Sequence, residues 1–213
     1  MISTAHRLIF LNAPKTGGNA IQTVLLPLSD DVKVTGAAQD GVHRFGIRSA
    51  LTPHKHATLA DYASRLGVAL GDFRVLITLR PPFERLISLY FSPHRWLGCK
   101  PTWDEADFLA LMRKSPSIAS FLRVDGRLRF PDATLRFETL ATDFARVSAR
   151  WGLPIPDPRI PVLNESADTS GLRHQILADT TLRGIVEDFA AEDMELLRRL
   201  DASWGCNDAE SKK

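Results

Sequence analysis

The chain has 213 residues and a formal net charge of +2 at pH 7, with 44% hydrophobic and 24% charged residues. That balance fits an ordinary globular protein and is too weakly basic to point to nucleic acid. Cys99 and Cys206 form neither a disulfide framework nor a metal-ligand spacing, no apolar run nears the roughly 20 residues of a membrane span, and Leu8–Leu11 falls short of the about 7–15 apolar residues of a secretory signal. A reduced, cytoplasmic protein is the default reading. The length favours a single domain over residues 1–205, followed by a polar tail over 206–213.

In chain order, Leu8-Ile9-Phe10-Leu11 is an apolar run bounded by Asn12 and Pro14 and reads as a buried strand. Pro14-Lys15-Thr16-Gly17-Gly18-Asn19-Ala20 follows, and Ile21, Val24 and Leu25 then recur at helical spacing. Val32–Thr35 alternates as a short strand would, and residues 36–53 read as mostly loop. The stretch 57–66 has a helical face of Leu59, Tyr62, Ala63 and Leu66. Arg74–Leu79 is the strongest strand, and its continuous apolarity predicts a parallel strand covered on both faces.

Arg80 closes that strand, and Pro81-Pro82 leads into a helix over about 83–91, with Phe83, Leu86, Ile87 and Tyr90 as its buried stripe. His94, Arg95, Trp96, Lys100 and Trp103 lie in a loop that suits either a cleft wall or packing anchors. Thr102 or Asp104 can cap the next helix, which carries Phe108, Leu109 and Met112. Arg123, Arg127 and Arg129 read as a solvated hairpin or a basic patch. Ala133–Phe137 reads as a strand, a helix from Thr139 to Trp151 stops at Gly152, and 153–171 forms an irregular excursion. One terminal helix from Thr180 to Leu200 is expected, carrying Ile185, Phe189, Met194 and Leu197. Strands alternating with helices predict an α/β fold of three layers, its central sheet mainly parallel and flanked on both faces by helices.

The stretch from Pro14 to Ala20 is built like a P-loop-like anion site. A strand-to-helix loop aims backbone N–H groups at one point, the helix dipole adds positive charge, and Lys15 adds a full one. Gly17 and Gly18 would let the backbone approach a phosphate closely. The same residues also make an ordinary strand-to-helix turn. A Walker loop is excluded, since Lys15 precedes the glycines and no Gly-Lys-Ser/Thr occurs; the dinucleotide G-x-G-x-x-G is missing too. Arg80 stands at the carboxyl end of the strongest strand, where α/β sheets bind ligands, and Ser88 lies about two turns into the next helix. Alone, the pair also suits a solvated strand end and a small packing residue.

Taken together, Pro-Lys-Thr-Gly-Gly after the first strand and Arg80-Pro-Pro-Phe-Glu-Arg-Leu-Ile-Ser88 after a later one resemble the sulfotransferases that use 3′-phosphoadenosine 5′-phosphosulfate (PAPS). Leu135-Arg136-Phe137-Glu138-Thr139-Leu140, Leu163-Asn164-Glu165-Ser166 and the late Asp188-Phe189…Glu192-Asp193 are similar to further segments of that family, in the same order. The resemblance implies a sulfotransferase-like fold, with Pro14, Lys15, Thr16, Gly17, Gly18, Asn19 and Ala20 around the 5′-phosphosulfate and Arg80 with Ser88 on the 3′-phosphate. It implies PAPS as donor, the desulfated PAP as product and no metal.

His54-Lys55-His56 precedes a helix, and two histidines one residue apart can both face a ligand if the chain is extended. With no cysteine or carboxylate partner nearby they make a poor zinc site, and surface residues are the usual fate of such a pair. The segment resembles the catalytic stretch of the heparan sulfate 2-O-sulfotransferase branch, which implies His56 as general base, assisted by His54. That branch tends to carry a basic residue just before its Pro-Lys, where this chain has Asn12 and Ala13, so its glycan specificity does not carry over. The expected reaction is O-sulfation of a hydroxyl-bearing acceptor such as a carbohydrate. The alternatives are a PAP-binding regulatory protein without chemistry and a small-molecule kinase with an unusual loop.

Overall fold

A computed structural model of the chain describes residues 1–35, 45–96, 99–155, 159–163 and 171–210. Its strands are β1 (Ile2–Ser3), β2 (Leu8–Leu11), β3 (Val32–Thr35), β4 (Phe45–Arg48), β5 (Arg74–Leu79), β6 (Arg123–Val124), β7 (Arg127–Leu128) and β8 (Ala133–Arg136). Its α-helices are α1 (Gly18–Leu25), α2 (Leu59–Leu66), α3 (Pro82–Tyr90), α4 (Glu105–Lys114), α5 (Ile118–Phe121), α6 (Leu140–Trp151), α7 (Leu172–Leu177), α8 (Thr180–Phe189) and α9 (Ala191–Glu210). The class is α/β, with a mostly parallel sheet flanked by helices. The chain forms two compact units, Met1–Arg80 with Ser120–Glu165 and Pro81–Ala119 with Ser166–Lys213.

In the first unit the sheet order is β1-β2-β5-β8. β2 and β5 run parallel with Leu8 opposite Arg74 and Leu11 opposite Ile77, and β5 and β8 run parallel with Leu79 opposite Arg136. β1 joins antiparallel at the edge. Ile9, Phe10, Leu11, Val75, Leu76 and Ile77 are all fully buried, which explains why β2 and β5 read as unbroken apolar runs rather than alternating ones. Ile21 and Leu25 of α1 and Phe144 and Val147 of α6 complete this core.

Residues 36–53 depart from the expected loop where they are described. Phe45–Arg48 is a strand, paired antiparallel with β3 so that Val32 faces Arg48 and Val34 faces Gly46. Residues 36–44 lie outside the described residues. β6 and β7 form the expected hairpin, but Arg129 beyond it is not simply solvated. Its guanidinium donates to the carbonyls of Leu70 and Phe73 at 3.1 and 2.9 Å, which ties the hairpin to the approach to β5.

The second unit is helical. Phe83, Leu86, Ile87, Tyr90, Phe108 and Met112 meet Ile176, Leu182 and Val186 in one buried cluster. Asp104 caps α4 by accepting from Asp107 N at 2.9 Å, which selects it over Thr102. The expected single terminal helix is two helices, parted at Ala190 (φ −96°, ψ 29°). Ile185 and Phe189 are 42% and 53% exposed, whereas Leu182, Val186, Leu196 and Leu200 are buried. The break resets the helical phase, so one periodicity cannot describe both pieces. α9 runs on past Cys206 to Glu210, into the stretch expected to be a tail.

Candidate functional site

Because β2, β5 and β8 are parallel, their carboxyl ends share one edge of the sheet, where open α/β sheets take their ligands. Asn12 to Gly17 leave β2 there, Arg80 follows β5, and Phe137 follows β8. The three meet. Arg80 Nη1 donates to the Lys15 carbonyl oxygen at 3.2 Å, and the guanidinium lies 3.9 Å from the centre of the Phe137 ring. Arg80 is buried, at 6% exposure, so it is not the solvated strand end it could have been.

The loop itself is held in an uncommon backbone conformation. Lys15 and Gly17 have φ of 69° and 87°, and for lysine this left-handed region is sparsely populated. Strain of this sort is retained where the surroundings fix it and is a pointer to function. Here Arg80 grips the Lys15 carbonyl on one side of Thr16. The buried Thr16 hydroxyl donates to the Ala13 carbonyl at 2.7 Å and lies 2.5 Å from the Thr78 hydroxyl, which pins the loop to β5.

α1 begins at Gly18 with no side-chain cap and no acidic residue in its first turn. Its leading N–H groups therefore keep their positive character, beside a lysine. Ala20 is the exception among the expected ligands, since its N–H donates to the Gly17 carbonyl at 3.1 Å. The glycines also serve the packing of the loop. A Cβ on Gly17 would stand 2.9 Å from Leu140 Cδ2 and 3.1 Å from Phe137 Cδ2; on Gly18 it would stand 2.1 Å from Asn12 Oδ1. The space they leave is filled by protein, so they let the loop close on its own neighbours.

The histidine segment is a turn, not the extended stretch that would aim both rings one way. The Ala57 N–H donates to the His54 carbonyl at 3.0 Å, leaving His54 exposed, Lys55 buried and His56 half-buried. A capping box between Thr58 and Asp61 starts α2 immediately afterwards and fixes where the turn ends. His56 Nδ1 donates to the Asn12 carbonyl oxygen at 2.7 Å. A carbonyl can only accept, so Nδ1 carries the proton and the lone pair of the neutral ring is on Nε2.

Ser88 lies on α3 in the second unit, half-buried. In that unit most of the basic and aromatic loop residues serve packing. Trp96 Nε1 donates to the Tyr90 carbonyl at 2.7 Å, Trp103 stacks on Phe91 and edges Tyr90, and Arg95 pairs with Asp107. Trp103 also lines an open cleft of about 550 Å³ with Lys100, Thr102, Leu172 and Gln175. Residues 164–166, part of one family-like segment, lie outside the described residues.

Asn12, Gln22, Thr78 and Phe137 shape the site without having been singled out for it. Asn12 follows an apolar strand and Thr78 sits inside one, and a polar residue in such a run is the signal that could have found them. Among the described residues, no group of three or more His, Cys, Asp or Glu is placed to hold a metal ion, and no helix is long and apolar enough to cross a membrane.

The family model described as "Sulfotransferase family" matches residues 1–107, which hold β2, its cationic loop, the histidine turn, β5 and Arg80. Searches of curated proteins and of solved structures found no match. A family match over half of the chain, falling on two of the three loops that meet at the carboxyl edge of the sheet, identifies the chain as a member of the sulfotransferase family.

Proposed function

We propose that the protein transfers a sulfuryl group from PAPS to a hydroxyl of a carbohydrate or similar acceptor, with His56 as general base. Membership of the family supports sulfotransfer in general. The finer reading rests most on one observation, the His56 imidazole docked through Nδ1 onto the carbonyl of Asn12, at the root of the cationic loop. Cytoplasmic residence stays part of the proposal on the strength of the two cysteines, which offer no disulfide framework.

The residues present fit a phosphosulfate. An uncapped helix start free of acidic side chains in its first turn, a lysine in the preceding loop and a buried arginine behind it make a set of donors with no acceptor carboxylate in that turn. PAPS, when bound, would supply the activated sulfuryl group. The N–H groups of Thr16 to Asn19 and the Lys15 ammonium would hold its 5′-phosphate and stabilise the charge that collects there, which lowers a barrier rather than only tightening binding. Pro14 and Ala20 shape the two ends of that loop. The resemblance assigns the 3′-phosphate to Arg80 and Ser88. His56 Nε2 would accept the proton of the acceptor hydroxyl, which is a poor nucleophile until it loses that proton. His54, which is exposed, would assist only by orienting the acceptor.

Calorimetric titration with PAP, AMP and ATP side by side tests the donor assignment. PAP is expected to bind at least about tenfold more tightly than AMP, since a site built for a second phosphate leaves charged groups unpaired without it. Arg80→Ala should remove most of that preference. Equal affinity for PAP and AMP would reject the 3′-phosphate assignment. PAP binding without sulfation of any acceptor in a panel would make the protein a regulatory binder instead.

A further inference from the structure

Asn12 and Gln22 take no part in the chemistry just described, yet their side chains are 2% and 0% exposed. A buried amide is costly unless its polar atoms are paired. Here the pairing runs in a closed circuit. Asn12 Nδ2 donates to Gln22 Oε1 at 2.8 Å and to Asn19 Oδ1 at 3.0 Å. Gln22 Nε2 donates to the Lys55 carbonyl oxygen at 2.9 Å. The residue after Lys55 is His56, whose Nδ1 returns a hydrogen bond to the Asn12 carbonyl at 2.7 Å.

The circuit joins three pieces of chain that have no covalent reason to keep step: the end of β2, the middle of α1, and the turn before α2. Gln22 is its keystone because its two polar atoms do separate jobs. Oε1 holds the asparagine at the root of the phosphate loop, and Nε2 holds the backbone that carries the imidazole. The asparagine packs closely against α1, its amide occupying the space that a Cβ on Gly18 would need.

We propose that Gln22 is a positioning residue for His56. It fixes the Lys55 peptide so that the neighbouring imidazole keeps Nδ1–H on the Asn12 carbonyl and presents the Nε2 lone pair, and it does so from a helix that also leads out of the cationic loop. The base and the loop are thereby set relative to one another by a single side chain. The inference deepens the assignment of His56 as base and rests on it for its catalytic consequence, but its structural content can be measured without any reaction.

The test uses the full chain with ¹⁵N-labelled imidazoles, its histidine spectra recorded above the titration range, and the His56 signals identified by their loss in His56→Gln. Wild-type His56 is expected to show the Nδ1–H tautomer. Gln22→Met, which removes both polar atoms at similar length, and Gln22→Glu, which keeps the acceptor but sets a carboxylate oxygen against the Lys55 carbonyl, should both shift His56 towards Nε2–H. His54, which is exposed, should not change. In the same variants kcat should fall roughly ten- to a hundredfold, the usual consequence of a misplaced reacting group.

A wild-type His56 found as the Nε2–H tautomer would overturn the proposal without any variant. So would a folded Gln22 variant in which His56 keeps Nδ1–H. If the tautomer shifts as expected while sulfation proceeds at the wild-type rate, the positioning stands and the assignment of His56 as base falls.

Discussion

Replacing His56 by alanine is expected to lower kcat by about 10²–10⁴-fold, the range that general-base assistance supplies. The affinity for PAP should stay within about twofold, because the imidazole is proposed to act on the acceptor hydroxyl and is anchored through Nδ1 on the Asn12 carbonyl. Loss of turnover with intact product binding is the signature of a group that acts on the acceptor side. Lys15→Ala should behave differently and lower both quantities, since its charge is present in the ground state and grows in importance as the leaving phosphate becomes more negative. Initial-rate kinetics with labelled PAPS, beside calorimetry with PAP, gives all of these numbers. Full activity in His56→Ala would move the base elsewhere, with Glu84 and Glu138 the first carboxylates to examine.

The parts of this fold that could be read from the chain are those whose character is local. β5 announces itself because burial on both faces makes it an almost unbroken apolar run, Thr78 apart. Arg80 stands out as a charge directly after an apolar strand and Lys15 as the one charge in the loop that leaves another, and the parallel topology brings those strand ends together. Phe45–Arg48 does not stand out, since it becomes a strand only by pairing with Val32–Thr35, and its own window holds just one fully buried aliphatic residue, Ile47. The roles of Gly17 and Gly18 were legible as a need for space but not as to what fills it: Leu140 and Phe137 come from beyond β8, and Asn12 folds back from β2. His54 and His56 look equivalent until the Ala57 N–H closes a turn and only His56 bonds to the Asn12 carbonyl. Gln22 was the least legible of all. In an amphipathic helix a glutamine reads as solvent-facing, and its partners lie on two other elements.

Asp193→Ala is expected to destabilise the protein by about 3–5 kcal/mol, the cost of leaving a buried charge and its hydrogen-bonding partners uncompensated. Asp193 is 1% exposed, in the first turn of α9. Its Oδ2 accepts from the Ile118 N–H at 2.8 Å and its Oδ1 from the Ala119 N–H at 2.9 Å, so the carboxylate caps the short helix α5 from a distant part of the chain. Arg85 Nη2 stands 3.9 Å from Oδ2 and donates to the Pro116 carbonyl at 3.0 Å. Burial pulls the Arg85 guanidinium below its ordinary value and Asp193 pushes it back up. With the carboxylate gone only the burial penalty remains, and two N–H groups lose their acceptor. Against a typical total stability of about 5–15 kcal/mol this is a large fraction, and for a chain of this length it corresponds to a fall in Tm of roughly 6–20 °C. Asp193→Asn should lie between the two, since one amide oxygen can still accept while the charge is lost. Arg85→Met combined with Asp193→Ala should recover part of the loss, because the stranded cation is then replaced by an apolar chain of similar length. Urea and thermal unfolding of the four proteins measure this directly. A single Asp193→Ala variant within about 1 kcal/mol of wild type would mean that water reaches the pair and that the second unit does not depend on it.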